Sequence, residues 1–334
     1  MPIVSDVIVA ITDFAMARIN ILLMMATFVS GGVFAFLFLM TDTGVSRNVR
    51  GFLRFFMPAS GWFSHSTKID ILLYFVIKFS FRWVALFAAI LTTFLAEKAG
   101  TALTNWLQFD QKLQAGPISV VILCIIMFMF SDLGEFISHY IQHKNRYLWE
   151  FHKIHHSATF LSPLTASRVH PVGVLLDAVF IGICRVIPVT AIVFLYGFSI
   201  VELLAMQASA SLVFSLLTLG TLQHTHFPIS FGILDRVFIS PRMHQVHHSV
   251  ARKHWDKNMG SRLSLWDWIA GTAYLATRDE VQKFGIGTVE DDRGDYQRIW
   301  WCFLGPIVNC SVAVRRAIVR TKRLILRSQQ AGGD

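Results

Sequence analysis

PISVVILCIIMFMFSDLGEFISHYIQH, from Pro117 to His143, decides the fold. Its first half, Ile118 to Phe130, is apolar. Its second half turns polar in a helical rhythm, with Asp132, Glu135, His139 and His143 at three- and four-residue spacing, and so on one face of one helix. Pro117 suits the first turn of that helix. One element thus starts as a membrane span and ends as a stripe of carboxylates and imidazoles.

Working outward, the rest of the chain has the same character. Of 334 residues, 54% are hydrophobic and 15% charged, with a mean hydropathy of +0.53; a soluble domain averages about 25% charged. Ile19 to Met40 runs 22 residues without a charge, about 33 Å as a helix, which matches the hydrocarbon thickness of a bilayer. Ile69 to Ala96 is a second span, interrupted by Lys78 and Arg82. Val172 to Tyr196 and Phe198 to Leu219 follow the quoted stretch and read as a tight helical hairpin turning at Gly197. The expected fold is all-α: an integral-membrane bundle of about four to five transmembrane helices, with a cytoplasmic helical cap carrying a histidine-ligated dimetal site. Residues 1–117 form an N-terminal transmembrane region and 118–275 the catalytic region. Residues 276–334 supply an interfacial segment, Ile299 to Val314, and a basic tail from Arg315 to Arg327.

The net charge of +9 does not point to nucleic acid, because the basic excess lies in loops between apolar spans. Arg47, Arg50, Arg54 and Lys68 follow the first span, and Lys144, Arg146, Lys153 and Arg168 the third, against Arg18, Lys98 and Lys112 on the other side. The positive-inside rule then places the N-terminus outside, and the histidine-rich loops and the C-terminus in the cytoplasm. Cys124, Cys184, Cys302 and Cys310 form no CxxC pair and read as packing residues.

Twelve of the thirteen histidines fall between His139 and His254. His139 and His143 lie one helical turn apart, a spacing also common at ordinary polar helix ends. His152-Lys-Ile-His155-His156 and His244-Gln-Val-His247-His248 repeat one His-x-x-His-His pattern, which puts i, i+3 and i+4 on a shared helical face, and His224-Thr-His226 follows the fifth span. Nine or more imidazoles exceed what one zinc ordinarily takes, so two ions with four or five imidazoles each fit better; imidazole alone does not distinguish zinc, copper and iron.

With these motifs the stretch Ile118 to Tyr274 resembles the fatty acid hydroxylase superfamily, also called the sterol desaturase family. The resemblance rests on His139-x3-His143, His152-x2-His155-His156, Arg168-Val-His170-Pro171, Gln223-His224, Pro241-Arg-Met-His244-x2-His247-His248-Ser249, Asn258-Met-Gly260, Leu265-Trp266-Asp267 and Gly271-Thr272. It implies two iron ions, zinc being a possible substitute, that activate O2 with external electrons to hydroxylate or desaturate a C–H bond of a lipid, whether sterol, fatty acyl or related. The implied ligands are His139, His143, His152, His155, His156, His224, His244, His247 and His248. His226 is a ligand or supports one, and His170 and His254 stand further out. No haem-binding segment or Gly-rich dinucleotide fingerprint is visible, so the resemblance implies a separate electron donor: cytochrome b5, a ferredoxin or a reductase.

Asp132 and Glu135 have two readings: they accept the second N–H of a ligand imidazole, or they pair with Lys78, Arg82 or Arg185 inside the bundle. Asp256, Asn258 and Asp267 are candidates for the same orienting part, and Gly260 and Gly271 for turns. Trp149, Trp255, Trp266 and Trp268 read as interfacial anchors or as walls of a substrate channel. Two rival functions exist. A metal transporter would place its ligands near mid-bilayer, and a zinc-dependent membrane hydrolase would carry a His-Glu-x-x-His motif, which this chain lacks.

Overall fold

A computed structural model describes residues 48–331 except 110, 278, 279, 281 and 282. The expected span Ile19 to Met40 lies outside the described residues. Twelve α-helices and short 3-10 turns make up the described chain: α1 Val49–Phe56, α2 Ala59–Trp62, α3 His65–Ser80, α4 Arg82–Leu107, α5 Pro117–Lys144, α6 Arg146–His156, α7 Pro171–Tyr196, α8 Ile200–Leu217, α9 Pro241–His247, α10 Leu265–Ala270, α11 Val289–Asp292 and α12 Ile299–Ala331. No strand occurs among the described residues; the backbone forms only two isolated bridges, Phe238 with Leu263 and Ser249 with Phe284.

Among the described residues five helices are long and apolar enough to cross a membrane: Trp83–Leu107, Pro117–Lys144, Pro171–Tyr196, Ile200–Leu217 and Ile299–Lys322. Their outer faces expose large apolar side chains, among them Phe87, Ile118, Ile187 and Leu217, which is stable only if lipid covers them. An all-α bundle agrees with the expectation; four of these helices correspond to or overlap expected spans, and the members differ in two places. The stretch read as one span from Ile69 breaks at Phe81, where Ser80 ends α3 and a separate helix starts at Arg82. The segment read as interfacial from Ile299 to Val314 does not stop there, because the basic residues beyond it are good helix formers and α12 runs on to Ala331.

Packing of the bundle centres on α7, which lies against both α4 and α5. Small residues allow the close approach: a Cβ on Gly134 of α5 would come 2.5 Å from the Ile181 Cα of α7, and one on Gly182 of α7 would come 2.5 Å from Thr92 of α4. Ala96, Leu123, Met127, Val189, Ile192, Val193 and Leu203 form the core of that layer. A second core joins α3, α6 and the start of α12 through Ile69, Leu73, Ile154, Tyr296 and Cys302.

Arg168 sits at the joint of this second core and is fully buried. Its guanidinium donates to the Ile154 carbonyl at 3.1 Å, the Ser66 carbonyl at 3.1 Å, the Tyr296 carbonyl at 2.9 Å and the Asp70 carboxylate at 2.7 Å. A buried ion pair is tolerable when its remaining hydrogen-bonding capacity is filled in this way. Segments from all three expected regions of the chain therefore meet at one side chain.

Candidate metal centre

α5 carries His139 and His143 to its polar end. Asn145 then caps α6 by accepting from the Tyr147 and Leu148 amides, so the chain turns directly into the helix that bears His152, His155 and His156. α9 is started by Ser240, whose hydroxyl accepts from the Met243 amide, and by Pro241 in its first turn. It presents His244, His247 and His248 from the other side.

Nine histidines converge as two groups. His139, His143, His152, His156 and His247 form one, and His155, His224, His244 and His248 the other, with the ligating nitrogens of each group within 4.8 Å of one another. The two His-x-x-His-His motifs divide between them: the first gives its i and i+4 members to the larger group and its i+3 member to the smaller, and the second does the reverse. The single shared face expected for each motif is thus two faces, since positions i+3 and i+4 differ by about 100° around a helix. The groups adjoin, and the His156 and His248 rings stack at 4.6 Å between centroids.

Spacing within the groups fits metal ligation. Nε2–Nε2 separations are 3.0 Å for His139–His152, 3.2 Å for His152–His156, 3.0 Å for His155–His224, 2.8 Å for His224–His244 and 3.1 Å for His244–His248. Imidazole nitrogens about 2.1 Å from one ion would stand roughly 3.0 Å apart at right angles and roughly 3.4 Å at tetrahedral angles. Tautomers are set from outside. His139 Nδ1 lies 2.7 Å from the Met259 carbonyl and His247 Nδ1 lies 2.9 Å from the Lys257 carbonyl. Each Nδ1 therefore carries the proton, and each Nε2 lone pair points inward. The Nε2 atoms of His143 and His247 are buried with no protein partner. Facing lone pairs repel, and a cation among them reverses that sign. Burial, reinforced by neighbouring imidazoles, holds His152, His155, His156, His224, His244, His247 and His248 well below the usual histidine range, so they stay neutral as ligands must.

The remaining candidates fall outside both groups. His226 bonds the Phe55 carbonyl at 3.0 Å and stacks on Phe160, because its neighbour His224 faces inward. His170 caps α7, accepting from the Val172 amide and facing the Phe303 carbonyl. His254 pairs with Glu280 at 3.0 Å. Asp256 lies 3.5 Å from His143 Nδ1 and 2.5 Å from Lys144, contacts that hold its carboxyl down at about 2. Trp149 packs its ring 5.1 Å from that of His143 and 5.3 Å from that of His156, walling the larger group.

Asp132 follows neither of its two readings. Its carboxylate accepts from the Arg262 amide at 3.0 Å, the Leu263 amide at 3.2 Å and the Trp266 indole at 2.9 Å, clamping the loop after α9 to the end of α5. Asp267 holds that loop from its other flank, accepting from the Met259 and Gly260 amides at 2.7 and 2.8 Å and from the Thr272 hydroxyl at 2.6 Å. Gly260 leaves no room for a Cβ, which would come 2.4 Å from the Leu263 carbonyl oxygen. Asn258 takes a left-handed backbone and binds the Met243 and Tyr274 carbonyls.

A cavity of about 290 Å³ opens against both groups, touching His139 and His152 of the larger and His155, His224 and His244 of the smaller. Glu135, Gln142 and Asp177 also line it. Sequence reasoning missed Asp177, although a carboxylate within the apolar stretch from Val172 was a signal in itself.

Residues 124–272 match the family model described as fatty acid hydroxylase. The chain is 28% identical over 162 residues to ornithine lipid hydroxylase OlsE of Rhizobium tropici, covering 48% of this chain and 45% of that protein. It is 25% identical over 174 residues to alkylglycerol monooxygenase of Caenorhabditis elegans, covering 50% of this chain and 30% of that protein. The similarity thus spans less than half the length of either relative. No solved structure matches the chain.

Proposed function

We propose, from the match of residues 124–272 to the fatty acid hydroxylase family and the likeness to two lipid-oxidising relatives, that the protein is a membrane oxygenase of this superfamily using O2 and external electrons on a lipid C–H bond. The observation that carries this reading is the pair of adjoining histidine groups opening onto one cavity. Two iron ions held there would supply the redox chemistry that activates O2. For hydroxylation the balance is RH + O2 + two electrons + two protons giving ROH + H2O, so an electron-donor protein is required, and desaturation has the same demand.

The chain's own residues do the rest. Met259 and Lys257 carbonyls fix ring tautomers, Trp149 and the buried apolar layer keep water from the larger group, and Glu135 and Asp177 face the cavity as carboxylates able to hold protons. In this reading residues 118–275 are the catalytic region, 1–117 an N-terminal transmembrane region and 276–334 a C-terminal interfacial segment and basic tail. By the charge bias of its loops the site faces the cytoplasm. Anaerobic purification followed by metal analysis and incubation with isotopically labelled O2 tests the proposal. Two irons per chain and a lipid product heavier by one labelled oxygen, or lighter by two hydrogens, are expected. Stoichiometric zinc persisting with activity and no O2 uptake would instead favour the hydrolase.

A further inference from the structure

The cavity beside the histidines sets two carboxylates among apolar surface from Phe151, Ala166 and Val169. Glu135 is half-buried there and has no hydrogen-bond or ion-pair partner among the described residues. Asp177 lines the same cavity, and both of its hydrogen bonds, from the Ser138 hydroxyl at 2.6 Å and the Gln142 amide at 3.2 Å, fall on Oδ1. Against these two carboxylates stands one guanidinium, Arg262, already bonded to the Gln223 side-chain carbonyl at 2.5 Å and to Ser261. Seating methylene groups against two carboxylates strips them of water and returns nothing. At about 290 Å³ the space equals roughly ten waters at ~30 Å³ each, enough for a head group and too little for a whole lipid.

Position agrees with lining. Glu135 and Gln142 lie in the last turns of α5, and Gly173 and Asp177 in the first turns of α7. Both therefore sit at the bundle end that carries the histidines, level with lipid heads rather than tails. Below them α5 and α7 expose apolar residues such as Ile122, Ile183 and Ile187, along which a tail can lie.

We propose that the cavity formed by Glu135, Asp177 and Gln142 receives the ammonium-bearing head group of a lipid, so that the carbon presented to the histidine groups belongs to the head region rather than the distal chain. This deepens, and rests on, the oxygenase reading above. Glu135 supplies the charge that an ammonium pairs with, and Asp177 a second acceptor fixed by Ser138 and Gln142.

The test uses the metal-loaded protein in uncharged detergent. A single-chain amino-alcohol lipid with a free primary amine competes with its N-acetylated counterpart, and bound lipid is read by native mass spectrometry. The free amine is expected to bind about tenfold more tightly or better, the factor a charge-assisted hydrogen bond supplies. Glu135→Gln should abolish that preference at unchanged metal content, and Glu135→Asp should restore part of it. Equal binding of the two lipids, a preference that survives Glu135→Gln, or loss of metal in that variant would overturn the proposal. The two readings fail separately. Selective binding with no incorporation of labelled oxygen into any lipid sinks the oxygenase and leaves the head-group site. Labelled oxygen found only in distal chains, or only in lipids without an amine, does the opposite.

Discussion

Replacing Asp267 should release one metal site and spare the other. Its side chain is fully buried and holds the Met259 and Gly260 amides and the Thr272 hydroxyl. The Met259 carbonyl in turn fixes His139 of the larger group. In Asp267→Ala the Thr272 hydroxyl has a second acceptor nearby in the Asp267 carbonyl at 3.4 Å, but the two amides are left buried and unpaired. Each such group costs about 1–3 kcal/mol, and relief of the carboxylate's own burial offsets part of the sum, so a net loss of about 2–4 kcal/mol is expected. Expressed at the metal, loss of a supporting hydrogen bond of this kind lowers affinity about 10–100-fold. Metal analysis after size-exclusion chromatography should find the variant short by one ion per chain, since His155, His224, His244 and His248 make no contact with this loop's carbonyls. Thermal unfolding should fall in parallel. A variant with both ions and an unchanged midpoint would refute the chain of support from Asp267 through Met259 to His139. Loss of both ions would refute its selectivity.

Three further outcomes follow from the same geometry. His155→Ala and His247→Ala remove ligating nitrogens from different groups, so metal titration of the inserted proteins should show the deficit in the smaller group for the first and in the larger for the second; full metal content in either removes that residue from the ligand set. Gly134→Ala should lower stability by about 1–3 kcal/mol through overpacking, because its Cβ would stand 2.5 Å from the Ile181 Cα; an unchanged unfolding midpoint would mean that α5 and α7 do not touch there. The imidazoles of His152, His155, His156, His224, His244, His247 and His248 are held neutral, while unfolded histidines protonate below about pH 6.5. The unfolded state then binds more protons, so stability present above that pH is lost as the pH falls through it, and acid-driven metal release should be steep there; flat metal retention between about pH 7 and pH 5 would contradict the burial.

Which histidines converge was legible because their spacing is local: His152, His155 and His156 lie within two helical turns, and the second copy repeats them. How they divide was not legible, because it depends on where α9 docks against α6, and no local pattern encodes that. Asp132 shows the same limit. Its stripe with Glu135 and His139 is visible in the sequence, but its partners are amides at Arg262 and Leu263, about 130 residues away, and backbone donors have no signature in residue type. The break between α3 and α4 was hidden for a different reason: neither Pro nor Gly stands at Phe81, so apolar composition runs across a joint that only packing defines. α12 runs past Val314 through the expected basic tail because the long unbranched stems of arginine and lysine continue a helix well.

The crossing of the two motifs bears on how the centre assembles. If each His-x-x-His-His had formed one group, either half of the site could have folded and loaded alone. Instead α6 gives two rings to one group and one to the other, α9 the reverse, and adjacent residues such as His155 and His156 or His247 and His248 serve different groups. Without α9 the larger group would keep four rings, His139, His143, His152 and His156, and lose His247, while the smaller would keep only His155 and His224. Docking of α9 therefore completes the larger group and creates the smaller. Asp132 and Asp267 pin the loop that follows α9 to α5 and to α10. Asp267 bears on the larger group alone, through Met259 and His139, while the smaller group depends on the placement of α9 itself, which brings two of its four rings.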